Sequence, residues 1–288
     1  MKKVLVIGAS GFLGTALMPS LKEKFDVIGT FFGEKKEGLI ELDLNDSFKL
    51  DKVLNEVFPE IIILAAAETN VDAYESNPEI SENQINSAQQ ITNWCDSNNS
   101  FLVFFSTDSV FDGTKAPYNE SDDPNPLNDY SKNKLEIEKI IKKLENHLIL
   151  RTSFLYGLPI ASSKFVGLTI TKLLNKEKVF AVTDWKRTPT LTKDFALALI
   201  QLIEKNQKGL FHVAGTSSVS AFEMALAIAK EFNAEKNLIK KIKGKELNLP
   251  AVRPLNSSLN ISKLQSLGVK MSSLEQGLKF IHEKIKEK

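Results

Sequence analysis

The chain has 288 residues, with 37 Lys and Arg against 36 Asp and Glu, 42% hydrophobic residues and one cysteine. That apolar fraction belongs to a globular protein and excludes a disordered or collagen-like chain. A net charge of +1 provides no long-range field for nucleic acid or an anionic membrane, and Cys95 alone cannot close an internal disulfide, which suits a reducing compartment.

Met1-Lys2-Lys3 looks like the start of a signal peptide, but the apolar run after it is cut at once by Gly8-Ala9-Ser10-Gly11. No stretch approaches the roughly 20 apolar residues of a membrane span, so a soluble cytoplasmic protein is expected. In chain order, the pattern predicts a buried strand over 4–7, a helix over about 11–24, a strand over 26–30 and a helix over 47–57. A strand over 61–64, a helix over 80–97, a strand over 101–106, a helix over 129–144 and a strand over 148–151 follow. This alternation is the pattern of a parallel sheet covered on both faces. Beyond Arg151 the regularity weakens. Helices are predicted over 164–174 and 194–203, a strand over 210–213, and a helix over 221–232 with Phe222, Ala225, Leu226 and Ala229 on one face. The tail from Lys236 is Lys-rich and broken by Pro250 and Pro254.

Gly8-Ala9-Ser10-Gly11-Phe12-Leu13-Gly14 lies between the first strand and the first helix. Glycine permits positive φ and close backbone approach, and a helix N-terminus offers free N–H groups and a positive dipole end to a pyrophosphate. The strand-before, helix-after context gives the glycines their meaning. The second strand ends Val27-Ile28-Gly29-Thr30-Phe31-Phe32 without the acid that usually meets the ribose hydroxyls of NAD. Glu34 is the nearest acid. Lys35 and Lys36 could meet a 2′-phosphate or form a solvated loop, so NADP is expected, with NAD left open.

Tyr130 and Lys134 are four residues apart on a predicted helix and share one face. A carbonyl being reduced takes a proton on oxygen as hydride reaches carbon. A tyrosine of ordinary pKa about 10 is a slow donor; a nearby ammonium would lower that pKa and make Tyr130 a better general acid. The helix follows the strand ending Ser106-Thr107-Asp108, where the Thr107 hydroxyl can polarise a substrate oxygen.

The spacing Gly-x-x-Gly-x-x-Gly at the N-terminus resembles that of the extended short-chain dehydrogenases/reductases. Within that superfamily, five segments together resemble the dTDP-4-dehydrorhamnose reductases: Ala65-Ala66-Ala67 with Asn70-Val71-Asp72, the run from Ser106 to Gly113, the run from Leu150 to Gly157, Arg187-Thr188-Pro189-Thr190, and Arg253-Pro254-Leu255-Asn256-Ser257. The resemblance spans residues 1 to about 268. It implies an α/β fold: a Rossmann-type doubly wound parallel sheet with a smaller α/β substrate-binding lobe. The expected division is residues 1–151 with about 190–214 for the dinucleotide, and about 152–189 with 215–288 for the substrate.

The resemblance further implies NAD(P)H-dependent reduction of the 4-keto group of a nucleotide-activated deoxysugar. Tyr130 would donate the proton, Lys134 would tune it and hold cofactor ribose, and Thr107 would orient the ketone. It places Gly8, Gly11, Phe12, Leu13, Gly14, Asp43, Leu44, Ala65, Ala66 and Ala67 at the cofactor. It adds an asparagine that positions the lysine; Asn86 matches it, although Asn83 and Asn93 are not separable by local sequence. On the sugar side it implies Thr69, Val71, Asp108, Ser109 and Phe154. The family commonly has Tyr where this chain has Ser109 and often Trp where it has Phe154, so the sugar can differ.

Only three arginines occur, all within these segments. Arginine offers a planar fork for phosphate that lysine cannot copy. Arg187 and Arg253 are therefore candidates for the nucleotide diphosphate or sugar, with ion pairing as the alternative, and Arg151 reads as structural. A homodimer is compatible with the resemblance. The acidic cluster that holds a dimer-bridging Mg²⁺ in some relatives is not evident, because Thr15 and Lys193 occupy the corresponding stretches, and the scattered histidines have no ligand spacing, so no metal is expected. Two rival functions use the same scaffold: an NADP-binding regulatory subunit resembling the methionine adenosyltransferase β subunit, and a nucleotide-sugar epimerase or dehydratase.

Overall fold

The computed structural model describes residues 1–160 and 164–287. The first half runs β1 (Lys3–Ile7), α1 (Phe12–Lys22), β2 (Asp26–Phe31), β3 (Ile40–Glu41), α2 (Ser47–Val57), β4 (Ile61–Leu64), α3 (Val71–Ser76), α4 (Pro78–Asn98), β5 (Phe101–Thr107), α5 (Asp129–Ile141) and β6 (His147–Thr152). The second runs β7 (Leu155–Tyr156), α6 (Lys164–Leu174), β8 (Val179–Val182), β9 (Lys186–Arg187), β10 (Thr190–Leu191), α7 (Thr192–Glu204), β11 (Gly209–His212), β12 (Val219–Ser220), α8 (Ala221–Glu231), β13 (Ile239–Ile242), α9 (Ser262–Ser266) and α10 (Leu274–Lys286).

Seven strands form one Rossmann-type sheet in the order β11-β6-β5-β4-β1-β2-β3, parallel throughout. Period-2 alternation explains the layers. Val4, Val6, Ile61, Ile63, Val103, Phe105, Leu148 and Leu150 face one way, into a core shared with α1 and α7. Leu5, Ile7, Ile62, Leu64, Leu102, Phe104 and Ile149 face the other, toward α2, α4 and α5. The chain builds outward from β1 through β2 to β3, then returns to β4 on the other flank of β1. Ligands of open α/β sheets bind at such a reversal, beyond the carboxyl ends of the strands.

A third core joins Tyr156, Ile170, Leu173, Val179, Leu191, Met224, Ile228, Leu278 and Ile281 in the second half. Two features here escape the sequence pattern. β8 and β13 pair in parallel although 56 residues lie between them, and α10 begins at a capping box of Ser273 and Gln276 inside the Lys-rich tail. The buried stripe of α8 is Met224, Ala225, Ile228 and Ala229. Phe222 and Leu226, expected on that face, lie only half-buried at its margin, because α6, α10 and β8 contact the helix from one side. Among the described residues no helix is long and apolar enough to cross a membrane.

Candidate active site

The first functional element is a main-chain cradle between β1 and α1. Gly8 has φ +90, and a Cβ there would lie 2.6 Å from the Ala66 nitrogen. A Cβ on Gly14 would lie 2.2 Å from the Gly8 carbonyl oxygen. Both positions need glycine for the turn to close against α1 and β4. The Gly8 N–H donates to Thr30 Oγ1 at 3.1 Å, and the Ala65 and Ala66 N–H groups both donate to Ile7 O at 2.9 Å. Ala65, Ala66 and Ala67 are half-buried beside the turn.

Gly11 caps α1 with no side-chain hydrogen bond, and the first turn, Phe12, Leu13 and Gly14 included, has no acid. By contrast, Asp46, Asn77, Asn128, Ser220 and Ser273 cap α2, α4, α5, α8 and α10 with their side chains. The N–H groups of α1 are thus free for an anion, and the cradle fits a dinucleotide pyrophosphate. Asp43 and Leu44 follow β3, half-buried, with the Asp43 carboxylate accepting from Asn45 N–H at 2.9 Å. In the loop after β2, Lys36 is paired with Glu34 at 3.0 Å while Lys35 stays exposed.

The second element joins the end of β5 to the start of α5. Asn128 caps α5, its Oδ1 accepting from the Ser131 N–H at 2.9 Å. Tyr130 stands in the first turn, half-buried, and Lys134 lies one turn on, fully enclosed. The Lys134 ammonium donates to Phe105 O at 3.4 Å and sits 4.8 Å from the Phe104 ring centroid. Thr107 ends β5 and caps the short 3-10 turn Asp108–Val110, accepting from the Ser109 N–H at 3.1 Å. Its hydroxyl also stands beside the Tyr130 phenol.

Burial pushes the Tyr130 phenol up to about 12; the Thr107 hydroxyl pulls it down and the Asp108 charge adds to the rise. Burial also pushes the Lys134 amine down to about 8, against the charge of Glu138. The expected depression of Tyr130 by Lys134 is therefore not what this site shows. Desolvation is the largest influence on the phenol, since a charged form is disfavoured wherever protein replaces water. At neutral pH both groups hold their protons, so the phenol is a loaded acid with a cation one helical turn along α5.

Asn86 requires a correction. It is exposed, on the flank of α4 that faces α2, in a groove it shares with Asp51, Gln90 and Asn93. Among the described residues it makes no hydrogen bond to Lys134. The helical phase decides this: Ser87, Ala88, Ile91 and Cys95 take the inward face of α4, which turns Asn86 away.

Asp108 also stands differently from expectation. Its carboxylate is buried, accepts from the hydroxyls of Ser153 at 2.8 Å and Ser257, and lies 3.5 Å from Arg187 Nε. These bonds tie β5, β6, β9 and the 253–258 segment together, so Asp108 is a structural hub and not a free substrate ligand. Arg187 and Arg253 are close neighbours, each 14% exposed. Arg253 Nη2 donates to Asp72 Oδ2 at 2.9 Å and Nη1 to Ala251 O at 2.8 Å. Arg187 Nη1 donates to Pro254 O at 3.0 Å; burial lowers its pKa and Asp108 opposes that. Each arginine is ion-paired, Arg187 with Asp108 and Arg253 with Asp72, which is the second of the two readings that the sequence leaves open. Thr69 is exposed, and Val71 and Ser109 are half-buried around the same opening. Phe154 adopts φ +40 and meets Phe165 edge-on, centroids 5.8 Å apart.

Several contributors gave no motif signal. Glu138 is buried at 0% exposure, one turn after Lys134. It receives a bidentate fork from Arg151 at 2.8 and 2.7 Å and the Ser106 hydroxyl at 2.6 Å. Burial pushes its carboxyl up, but Arg151, Ser106 and Lys142 outweigh that and hold it low. Arg151 is thus structural, as read from its strand-end position. Asn128 donates to Val252 O at 2.7 Å, linking the start of α5 to the 250s segment. Tyr74, with no expected role, meets Tyr130 edge-on at 5.3 Å. Helical spacing from Asp72 could have put Tyr74 near the cleft, but only its packing reveals the partner. Among the described residues no cluster of His, Cys, Asp and Glu is placed to hold a metal.

Comparison with known proteins agrees with this geometry. The model of the RmlD substrate binding domain family matches residues 1–286. Methionine adenosyltransferase 2 subunit beta of Bos taurus is 33% identical over 280 residues, 93% of this chain and 83% of its own. The probable low-salt glycan biosynthesis reductase Agl14 of Haloferax volcanii is 31% identical over 284 residues, 95% of each chain. Among solved structures, the dTDP-4-dehydrorhamnose reductase of Bacillus anthracis in complex with NADP superposes with a TM-score of 0.89 at 30% identity, covering 98% of this chain and 99% of its own.

Proposed function

Since the chain belongs to the RmlD substrate binding domain family, the dTDP-4-dehydrorhamnose reductases among the extended short-chain dehydrogenases/reductases, we propose that it is an NADPH-dependent reductase of the 4-keto group of a nucleotide-activated deoxysugar. One observation carries the reading: Tyr130 on α5 stands beside the Thr107 hydroxyl at the carboxyl end of β5, and Lys134, one turn on, is held against the Phe105 carbonyl of the same strand. NADPH, as in the Bacillus anthracis relative, supplies the hydride when bound. Tyr130 holds the proton at its phenol oxygen and passes it to the carbonyl oxygen. Thr107 orients that oxygen, and the Lys134 ammonium stabilises the phenolate left behind and meets the cofactor ribose. Gly8, Gly11 and Gly14 admit the pyrophosphate, while Asp43, Leu44 and the 65–67 alanines border the rest of the cofactor. In this reading Arg187 and Arg253 meet the diphosphate or sugar, with Thr69, Val71, Ser109 and Phe154 around it.

In this reading residues 1–151 with about 190–214 hold the dinucleotide and the remainder the sugar, in a reducing cytoplasm suited to the single buried Cys95. The test mixes purified protein with NADPH and dTDP-4-keto-6-deoxy-L-mannose and follows NADPH absorbance. Oxidation that disappears in Tyr130→Phe supports the reading. A second reading, an NADP-binding subunit that works through a partner protein, is favoured by the 33% identity to the bovine subunit. Tight NADPH binding without turnover on any of a panel of keto sugars selects it.

A further inference from the structure

Tyr74 belongs to no motif, yet it touches three parts of the site. It lies in α3, 1% exposed. Its ring meets the Tyr130 ring at 5.3 Å and 77°. Its hydroxyl donates to Glu68 O at 3.0 Å, in the loop after β4, and accepts from Gln84 Nε2 of α4 at 2.7 Å. Edge-to-face aromatic pairs favour one relative orientation, because the positive ring edge seeks the negative face of its neighbour.

We propose that Tyr74 is a positioning residue for Tyr130: its ring is one wall that holds the catalytic phenol at Thr107, and its hydroxyl fixes that wall to the loop following β4. The geometry requires some such wall. Tyr130 is half-buried in the first turn of α5, next to an open cleft. Thr107 engages only the hydroxyl end of its side chain. The ring would otherwise be free to rotate about its χ1 and χ2 bonds, and a proton donor must stand within hydrogen-bond reach of its acceptor. Glu68 lies directly between Ala67 and Thr69, so the same tether couples the loop beside the cofactor cradle to the placement of the acid. Two hydrogen bonds and full burial leave Tyr74 little freedom of its own, which makes it a stiff support.

The inference rests on the reductase reading, and its test separates the two. Tyr74→Leu removes the ring edge; Tyr74→Phe keeps the ring and loses the tether. With a reducible keto sugar, Tyr74→Leu is expected to lower kcat at least about 10-fold with KM within about 2-fold, and to raise the solvent deuterium isotope effect on kcat, since proton delivery becomes slower. Tyr74→Phe should lose only about 2- to 3-fold in kcat, the share carried by the hydroxyl tether. Wild-type kcat and isotope effect in Tyr74→Leu overturn the proposal, as does equal loss in both variants. If no keto sugar turns over even in wild type, the reductase reading fails by itself. The positioning claim is then decided by NMR of ring-¹³C-labelled tyrosine, with Tyr130→Phe assigning the Tyr130 signal. Shifted Tyr130 resonances that move toward those of an exposed tyrosine in Tyr74→Leu, and stay in Tyr74→Phe, support it; resonances unchanged in Tyr74→Leu overturn it. Thermal melts of both variants control for folding.

Discussion

On the glycine-turn side of the cleft the protein presents main chain, whereas on the arginine side it presents side chains held by other side chains. Gly8, Gly14 and the uncapped start of α1 need only β1, their own turn, Thr30 of β2 and the main chain that follows β4. Arg253 depends on Asp72 in α3, and Arg187 on Asp108, which depends in turn on Ser153 and Ser257. A backbone cradle is a property of a short segment, so it tolerates divergence elsewhere. A side-chain network is a property of the assembled lobes, and a change at one member is felt by the rest. This explains how relatives of one fold can share a cofactor and differ in what they do with it.

Tyr130→Phe should divide the two sides most sharply. Loss of the phenolic proton is expected to lower kcat by about 10²–10⁴, while NADPH affinity, measured by fluorescence titration, stays within about 3-fold. A parallel collapse of NADPH binding would mean that the two sides are not separable. Gly14→Ala is the complementary change. Its Cβ would meet the Gly8 carbonyl at 2.2 Å, so the turn must shift, and NADPH affinity should fall on the order of 100-fold, about 2.7 kcal/mol. Unaltered affinity in a folded variant would show that the cradle does not bind the pyrophosphate.

Arg253→Met should raise KM for the nucleotide sugar by about 10-fold, the value of one charge-assisted contact, and leave NADPH binding alone. The same substitution leaves Asp72 unpaired at a 26% exposed side chain, so only a small loss of melting temperature is expected. Equal effects on both ligands would place Arg253 at the cofactor. The smallest effect concerns pH. Burial lowers Lys134 from 10.5 to about 8, so kcat/KM should decline above about pH 8 as the ammonium loses its proton. For stability the sign is opposite. Between pH 8 and 10.5 the unfolded chain holds a proton that the folded amine has released, so the Lys134 contribution rises with pH. Lys134→Met should remove that slope in pH-dependent denaturation, and an unchanged slope would assign it to another group.

The sheet was legible because its signals are local. Five strands between residues 3 and 152 begin and end within about two positions of the pattern, since parallel buried strands read as short apolar runs. The glycine turn, Thr107, Tyr130 and Lys134 were legible for the same reason: each lies at a strand end or on one helical face. Asn86 was misplaced because a 21-residue helix has several flanks and local sequence does not say which one faces α5. Asp108 was misplaced because its partners Ser153, Arg187 and Ser257 are 45 to 149 positions away. The β8–β13 pair escaped because its two strands come from distant segments.

By itself the amino-acid sequence determined the doubly wound sheet, the main-chain cradle and the placement of Tyr130 and Lys134 one turn apart on α5, because hydrophobic periodicity, glycine stereochemistry and helical spacing act over a few residues. Only the tertiary structure decided that burial raises the Tyr130 phenol, that Glu138 and Asp108 hold Arg151 and Arg187, and that Tyr74 packs edge-on against the Tyr130 ring. Desolvation, ion pairing and aromatic packing depend on what surrounds a group in space, and that neighbourhood exists only once segments far apart in the chain have met.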